Sequence, residues 1–470
     1  MTPHKSRAVL AVTGAALFMI TLDNLIVISA LPAIGRGLTA SLTELEWVVN
    51  AYVLAFAVLI LTGAAIGERF GRRRVFVAGL AVFVLGSAAG GLAGTAGSLV
   101  AARAVQGVGA ALLMPLTLTL LIAAFPLERR ARALGVWSAI SGLGVALGPV
   151  GGGLLTTGLS WHWIFWVNVP VGGAAMLAAP RVLDDGRGRR EPLDLVGLGL
   201  ASAGLLAVVW STTRGNVVGW TAPVTVAGYL AGAGLLTAFV RWERRAGHPM
   251  LPLRLFEARA FSTANAAGFL LHFAMFGAFF ATIEFLTHVR AEGPIGAGLW
   301  TLPWTVMPLL VSARAGRLGQ RRSPAAVAAG GLGLIAAGAL ALAAAIGPST
   351  APAALAPGLL AVGVGVGLVL PNVAALAMGS VPAPDVGKAS GTLNTARQLG
   401  AVFGLAVAVA VVETAGPGAG PLSEQLRVAA AAAGFAALVG GVLLAGVRPA
   451  RSRRVAVPRR VAAAADEAIR

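Results

Sequence analysis

The chain has 470 residues, of which 57% are hydrophobic and 11% charged, where a soluble domain carries roughly 25% charge. The composition is that of a polytopic membrane protein, and the absence of cysteine excludes disulfides and thiolate metal sites. The net charge of +18 lies in short clusters between apolar runs, which fits the positive-inside rule better than a nucleic-acid-binding face. No nucleic-acid partner is expected.

A membrane-crossing helix needs about 20 apolar residues. Runs of that kind lie near 8–32, 47–66, 75–94, 98–122, 132–157, 162–180, 193–213, 220–240, 261–286, 294–313, 325–347, 351–377, 394–414 and 426–447, giving fourteen spans. The first run has no small-residue cleavage site before it and reads as a retained span, not a signal peptide. If the amino terminus is cytoplasmic, the inside segments hold 30 Lys and Arg against 4 outside (Arg36, Arg214, Arg290 and Arg427). Miscounting one helix would scramble that alternation. Both termini are therefore expected in the cytoplasm of a multi-pass protein of the cell (inner or plasma) membrane.

The chain also repeats itself. Gly107, Gly109 and Pro115 recur 256 residues later as Gly363, Gly365 and Pro371, and Gly135, Gly144 and Gly148 recur as Gly391, Gly400 and Gly404. The expected organisation is an amino-terminal six-helix half over 1–180 and two inserted helices with flanking cytoplasmic loops over 181–260. A carboxy-terminal six-helix half follows over 261–447, then a basic cytoplasmic tail over 448–470. Parallel halves related by an axis along the membrane normal are a transporter architecture.

Within span 5, Gly144, Gly148 and Gly152 stand four apart and form a side-chain-free strip. Such a strip lets another helix approach closely in lipid, while Pro149 removes a helical hydrogen bond and favours a bend. The stretch reads either as a surface that slides between conformations or as tight static packing. The lack of an echo of Pro149 at Leu405 favours a specialised, moving part.

Ionisable groups inside the bilayer are the strongest functional signals, because each costs about 2.5–3.5 kcal/mol at a helix centre. Asp23 in span 1 and Arg103 in span 4 stand at matching depth, Asp23 about 12 Å from the outer end of its span. They pair either as a proton site tuned by a neighbouring cation or as a static link. Glu284 lies in Phe279-Phe280-Ala281-Thr282-Ile283-Glu284-Phe285-Leu286, which aligns with Phe18 to Leu25 at an offset of 261 and makes Glu284 a second-half counterpart of Asp23. Glu413 reads as a solvated helix end, and mid-span His272 as hydrogen-bonded packing or a proton shuttle. Asn24, Gln106, Asn372, Asn394 and Gln398 are polar groups in or beside spans that need a wet or protein-lined home. With Phe280 they are candidate walls of a substrate cavity. There is no phosphate-cradling Gly-x-x-x-x-Gly-Lys loop, no metal-ligand spacing around His162 and no enzyme constellation.

These residues together resemble the major facilitator superfamily, and within it the fourteen-span drug:proton antiporter family of the EmrB/QacA type. Asp23 falls at the acidic position of a span-1 motif. Ala64-Ala65-Ile66-Gly67-Glu68-Arg69-Phe70-Gly71-Arg72-Arg73 resembles the loop signature between spans 2 and 3, with Glu68 for the usual Asp and Ala64 for the usual first Gly. Arg103, Gln106, Gly107 and Gly109 match a span-4 motif, and Gly144, Gly148, Pro149, Gly151 and Gly152 the span-5 antiporter motif. Trp161 to Pro170 matches the sixth-span region. Pro371-Asn372 and Gly391 through Gln398-Leu399-Gly400 look like second-half signatures. The resemblance implies the major facilitator fold and export of small amphipathic molecules in exchange for protons, by alternating access at a cavity between the halves. It gives Glu68, Arg69, Gly71, Arg72, Gly144, Gly148, Pro149 and Gly152 gating roles and Asp23, Arg103 and Glu284 proton coupling. The expected partners are a small-molecule substrate, protons and the lipid bilayer, for a monomer that uses the proton gradient and no cofactor or metal. The competing readings are proton-coupled transport of a specific metabolite and a non-transporting membrane sensor or scaffold of transporter ancestry.

Overall fold

The computed structural model describes residues 3–184, 192, 194–382, 385–413 and 421–447; the basic tail expected over 448–470 lies outside them. The described residues form sixteen α-helices. They are α1 (Pro3–Leu38), α2 (Leu42–Phe70), α3 (Arg72–Gly91), α4 (Ala96–Ala124), α5 (Leu127–Gly158), α6 (Trp163–Trp166), α7 (Asn168–Val182) and α8 (Leu195–Val218). The second set is α9 (Pro223–Glu243), α10 (Arg259–Glu284), α11 (Pro294–Trp300), α12 (Leu302–Arg321), α13 (Pro324–Ala345), α14 (Ala356–Gly379), α15 (Val386–Glu413) and α16 (Leu422–Ala445). Two pairs act as single spans, α6 with α7 and α11 with α12, so that fourteen segments are long and apolar enough to cross a membrane. The count expected from hydropathy is met.

Local chemistry sets several helix ends. Ser41 caps α2 through a reciprocal pair with Glu44: the Glu44 amide donates to Ser41 Oγ at 3.3 Å and the Ser41 amide to Glu44 Oε2 at 2.8 Å. Such a pair satisfies donors that a helix start leaves orphaned. Thr95 and Ser98 do the same for α4. Gly71 joins α2 to α3 without a loop at φ 106°, a backbone state that residues with a Cβ avoid.

Within the amino-terminal half α5 packs along α1, and α4 against α2 and α3; the second half repeats this with α15 on α10 and α14 against α12 and α13. The repeated glycines make equivalent contacts. A Cβ on Gly107 would strike the Tyr52 carbonyl on α2, and one on Gly363 the Trp304 carbonyl on α12 at 2.5 Å. A Cβ on Gly148 would lie 2.8 Å from Leu25 Cβ on α1, and one on Gly404 would strike Phe273 on α10. Gly144 abuts Thr21, and Gly400 abuts Phe269.

These contacts fix a register between the halves. Thr21 and Leu25 correspond to Phe269 and Phe273, so Asp23 corresponds to Leu271 and Asn24 to His272. Glu284 stands 13 residues beyond Leu271, about 20 Å along the helix, and is not the packing counterpart of Asp23. The sequence alignment at an offset of 261 matches letters that lie at different depths.

The inserted helices α8 and α9 pack on each other, and α8 also touches α2 and α15. The two halves meet along two seams, α2 with α15 and α5 with α11 and α12.

Candidate functional site

Asp23, Arg103 and Gln106 are sealed inside the amino-terminal half, with exposures of 0%, 1% and 0%. Arg103 Nη1 donates to Asp23 Oδ2 at 2.5 Å and to Gln106 Oε1 at 2.6 Å. Gln106 Nε2 donates to Asp23 Oδ1 at 2.8 Å. Asp23 comes from α1, while Arg103 and Gln106 are one helical turn apart on α4, so their head groups reach one point.

Two further helices complete the cluster. Asn168, at the start of α7, donates from Nδ2 to Asp23 Oδ1 at 3.4 Å and to Ser87 Oγ at 3.1 Å. Ser87, on α3, donates to the Phe165 carbonyl at 2.9 Å and accepts from Gln106 Nε2 at 3.3 Å. Gly86 permits this, since its Cα position lies against the Gln106 backbone, where an added Cβ would sit 2.7 Å from the amide nitrogen. Arg103 is also tied to α2: Nε donates to the Val48 carbonyl at 3.1 Å, and the guanidinium lies 4.2 Å from the Tyr52 ring centre. A Phe165 ring stands 5.9 Å away. Both Asp23 oxygens thus accept hydrogen bonds, and Arg103 is held by a carboxylate, two neutral acceptors and aromatic faces. Buried ions require this degree of compensation.

The pairing of Asp23 with Arg103 was legible from depth alone. Ser87, Asn168 and Tyr52 were not singled out, because their meeting depends on the rotation of three separate helices. Asn168 carried a usable signal, as a lone amide between Trp166-Val167 and Val169-Pro170. A second buried acid, Glu46 on α2 (2% exposed), was also missed; Asn50 Nδ2 donates to its Oε1 at 3.0 Å.

The glycine strip does not form a seam between the halves. Gly144, Gly148 and Gly152 all face α1; a Cβ on Gly152 would lie 3.0 Å from the Ile26 carbonyl oxygen. The other side of α5 touches the second half. A Cβ on Gly298 would lie 2.7 Å from the Pro149 carbonyl, and one on Gly142 3.1 Å from Leu309 Cδ1. The strip thus packs closely within one half, and Gly142 and Pro149 are the parts of this stretch that meet the partner half.

The residues at the α2–α3 junction stand apart from the cluster. Arg69 is exposed and stacks 5.4 Å from the Phe70 ring. Arg73 donates to the Pro180 and Leu183 carbonyls at 3.3 and 3.4 Å, joining this junction to the end of α7. Gly71 is buried and Arg72 partly so; the side chains of Glu68 and Glu413 lie outside the described residues.

Glu284 is not brought to Asp23. It pairs with His288 at 2.8 Å where α10 ends in a π-helical turn. Asn24 donates to the Ile20 carbonyl at 2.9 Å and remains partly exposed. Asn372 donates to the Ala315 and Leu368 carbonyls at 3.1 and 2.8 Å, tying α14 to α12. Asn394 donates to the Ser390 carbonyl at 3.1 Å. Gln398 Nε2 is buried without a partner. Phe280 is 2% exposed and sits in the packed interior of α10, beside the edge-to-face Phe279–Trp304 pair at 5.3 Å. Among the described residues no group of three His, Asp or Glu is placed to hold a metal ion.

The fold is that of a multi-pass membrane transporter. A sequence profile of the Major Facilitator Superfamily matches residues 13–405. A solved structure described as an auto-inhibited POT family peptide transporter superposes with a TM-score of 0.66 at 18% identity, covering 96% of this chain and 99% of that one; this likeness speaks to fold alone. Multidrug resistance protein Stp of Mycobacterium tuberculosis is 37% identical over 85% of this chain and 74% of its own length. The methylenomycin A resistance protein of Streptomyces coelicolor is 33% identical over 90% of this chain and 88% of its own. The tetracenomycin C resistance and export protein of Streptomyces glaucescens is 34% identical over 85% and 74%. The chain belongs to the major facilitator superfamily, in its drug:proton antiporter branch, and is a transporter, not an enzyme.

Proposed function

We propose that the protein exports drugs, antibiotics or similar small amphipathic molecules across the cell membrane in exchange for protons, with both termini in the cytoplasm. The names of its relatives support efflux, and the observation that carries proton coupling is the Asp23 cluster. Both Asp23 oxygens accept hydrogen bonds from Arg103, Gln106 and Asn168. A proton added to Oδ2 replaces the Arg103 bond. Arg103 then keeps the Val48 carbonyl, Gln106 and the Tyr52 face, so it stays on α2 and α4 while α1 loses its ionic link to α4 and keeps only the neutral bond from Gln106. Proton uptake therefore loosens one helix and leaves the rest of the cluster in place.

The consequence travels with α1. The glycine strip seats α5 on α1, and the opposite face of α5 meets α11 and α12 through Pro149 and Gly142. A shift of α1 carries α5 and opens or closes that seam, which is how a local charge change becomes a choice between discrete packed arrangements. In this reading 1–180 and 261–447 rock as the two halves, 181–260 is carried beside them, and Gly71 with Arg69 and Arg72 forms a hinge. The substrate occupies the space between the halves, near Asn24 and the 394–398 turn.

Everted membrane vesicles test the coupling. Wild type should accumulate drug on energisation and stop on addition of an uncoupler. Asp23→Asn should bind drug without proton-driven accumulation, and normal accumulation by that variant would remove Asp23 from the mechanism.

A further inference from the structure

Arg397 sits on α15 among partners unlike those of Arg103. Its Nε donates to His272 Nε2 at 3.3 Å, and Nη1 reaches Asn394 Oδ1 at 3.5 Å. His272 Nδ1 faces the Gly268 carbonyl at 3.1 Å. With Nε2 accepting from Arg397, Nδ1 is the ring atom that donates, so this partner is a neutral imidazole. Lys5–Asp184, Asp23–Arg103, Arg254–Asp385 and Glu284–His288 are ion pairs among the described residues, and none of them includes Arg397. A guanidinium stays charged in any protein setting, and a charge inside a bilayer is costly unless it is compensated.

The surroundings place this cation at a seam between the halves. Two residues before it, Thr395 Oγ1 donates to the Ala57 carbonyl of α2 at 2.9 Å, so this turn of α15 lies on a seam between the halves. In the register fixed by the glycine contacts, His272 stands where Asn24 stands in the first half. Residues 394–399 are all partly exposed, in mid-helix. On the next residue, Gln398 Nε2 is a buried donor without an acceptor among the described residues. The turn therefore offers a fixed positive charge and an unused donor, and no internal anion.

We infer that Arg397, held in place by His272 and Asn394, is the recognition site for an anionic group on the exported molecule: a carboxylate, sulfonate or ionised phenol. The inference rests on the export reading and assigns its substrate class. The planar guanidinium fork matches such groups, and the low dielectric of the seam strengthens the attraction.

The test uses the full-length protein in lipid nanodiscs and two dyes that share a xanthene core, anionic fluorescein and cationic tetramethylrhodamine methyl ester. Binding is read by fluorescence anisotropy. Wild type should prefer fluorescein. Arg397→Gln should weaken fluorescein binding about tenfold or more, the scale of a charge-assisted hydrogen bond, and leave the cationic dye unchanged or tighter. Arg397→Lys, which keeps the charge, should keep the preference, and it carries the test if the glutamine variant fails to fold. Equal affinity of wild type for the two dyes, or a parallel loss of both in the variants, would overturn the anion site. A resistance screen in a pump-deficient host reads export separately. Resistance without a fluorescein preference removes the anion site and leaves export standing; a fluorescein preference without resistance to any drug removes export.

Discussion

The two halves share a packing plan and differ in how each treats the arginine within its spans. Arg103 is 1% exposed and closed in by Asp23, Gln106 and the Tyr52 face. Arg397 is partly exposed and touches only neutral groups among the described residues. The glycine contacts are equivalent on both sides, so the difference is not one of architecture. A duplicated scaffold has kept its backbone contacts and given its two cations different work: one neutralised internally by an acid that can gain a proton, the other left for an external anion.

Stability measurements on the two arginines should break or confirm this contrast, and they carry the largest expected effect. Removing one partner of a buried ion pair costs about 3–5 kcal/mol, because the other charge is left uncompensated. Arg103→Gln strands the Asp23 carboxylate and should lower the thermal midpoint strongly in detergent. Arg397→Gln strands no acid and should cost much less. Equal losses in the two variants would show that Arg397 has an internal counter-charge and would end the comparison.

A double variant sharpens the same point. Asp23→Asn leaves Arg103 charged and buried, and the further change Arg103→Gln should recover part of the lost stability by removing that charge. Proton-driven accumulation in everted vesicles should stay at background in both. Recovery of transport along with stability would make the pair a structural link only.

Next in size is a steric test of the glycine strip. Overpacking a filled interface costs about 1–3 kcal/mol, and Gly148→Leu drives a side chain into Leu25, two residues from Asp23. Gly404→Leu makes the equivalent clash with Phe273. Both should lower stability alike, but Gly148→Leu should also shift the pH dependence of transport, because it displaces the helix that carries the proton site. Transport assays at several pH values separate the two. An unchanged pH profile in Gly148→Leu would disconnect the strip from coupling.

The sequence disclosed what depends on composition and periodicity: fourteen spans, the offset of 256 between halves, and the matching depth of Asp23 and Arg103. It did not disclose what depends on helix rotation. Ser87 and Asn168 are unremarkable letters until α3 and α7 turn them toward Asp23. The Gly144–Gly152 strip shows that some surface is smooth, but a periodic pattern does not say which neighbour covers it, and the neighbour is α1. Glu284 illustrates the opposite error, where four matching letters outweighed the register that Gly400 and Gly404 impose on α10.

Glu284 supplies the smallest effect and the last check on that register. Its partner His288 is half exposed, and ion pairs in contact with solvent contribute about 0–1 kcal/mol. Glu284 also lies about 20 Å along α10 from the Asp23-equivalent position. Glu284→Gln should therefore leave both stability and proton-driven accumulation close to wild type, measured beside Asp23→Asn in the same vesicles. A collapse of transport in Glu284→Gln with normal stability would mean that the end of α10 carries protons after all. The letter match with Phe18–Leu25 would then describe function where the glycine contacts describe only packing.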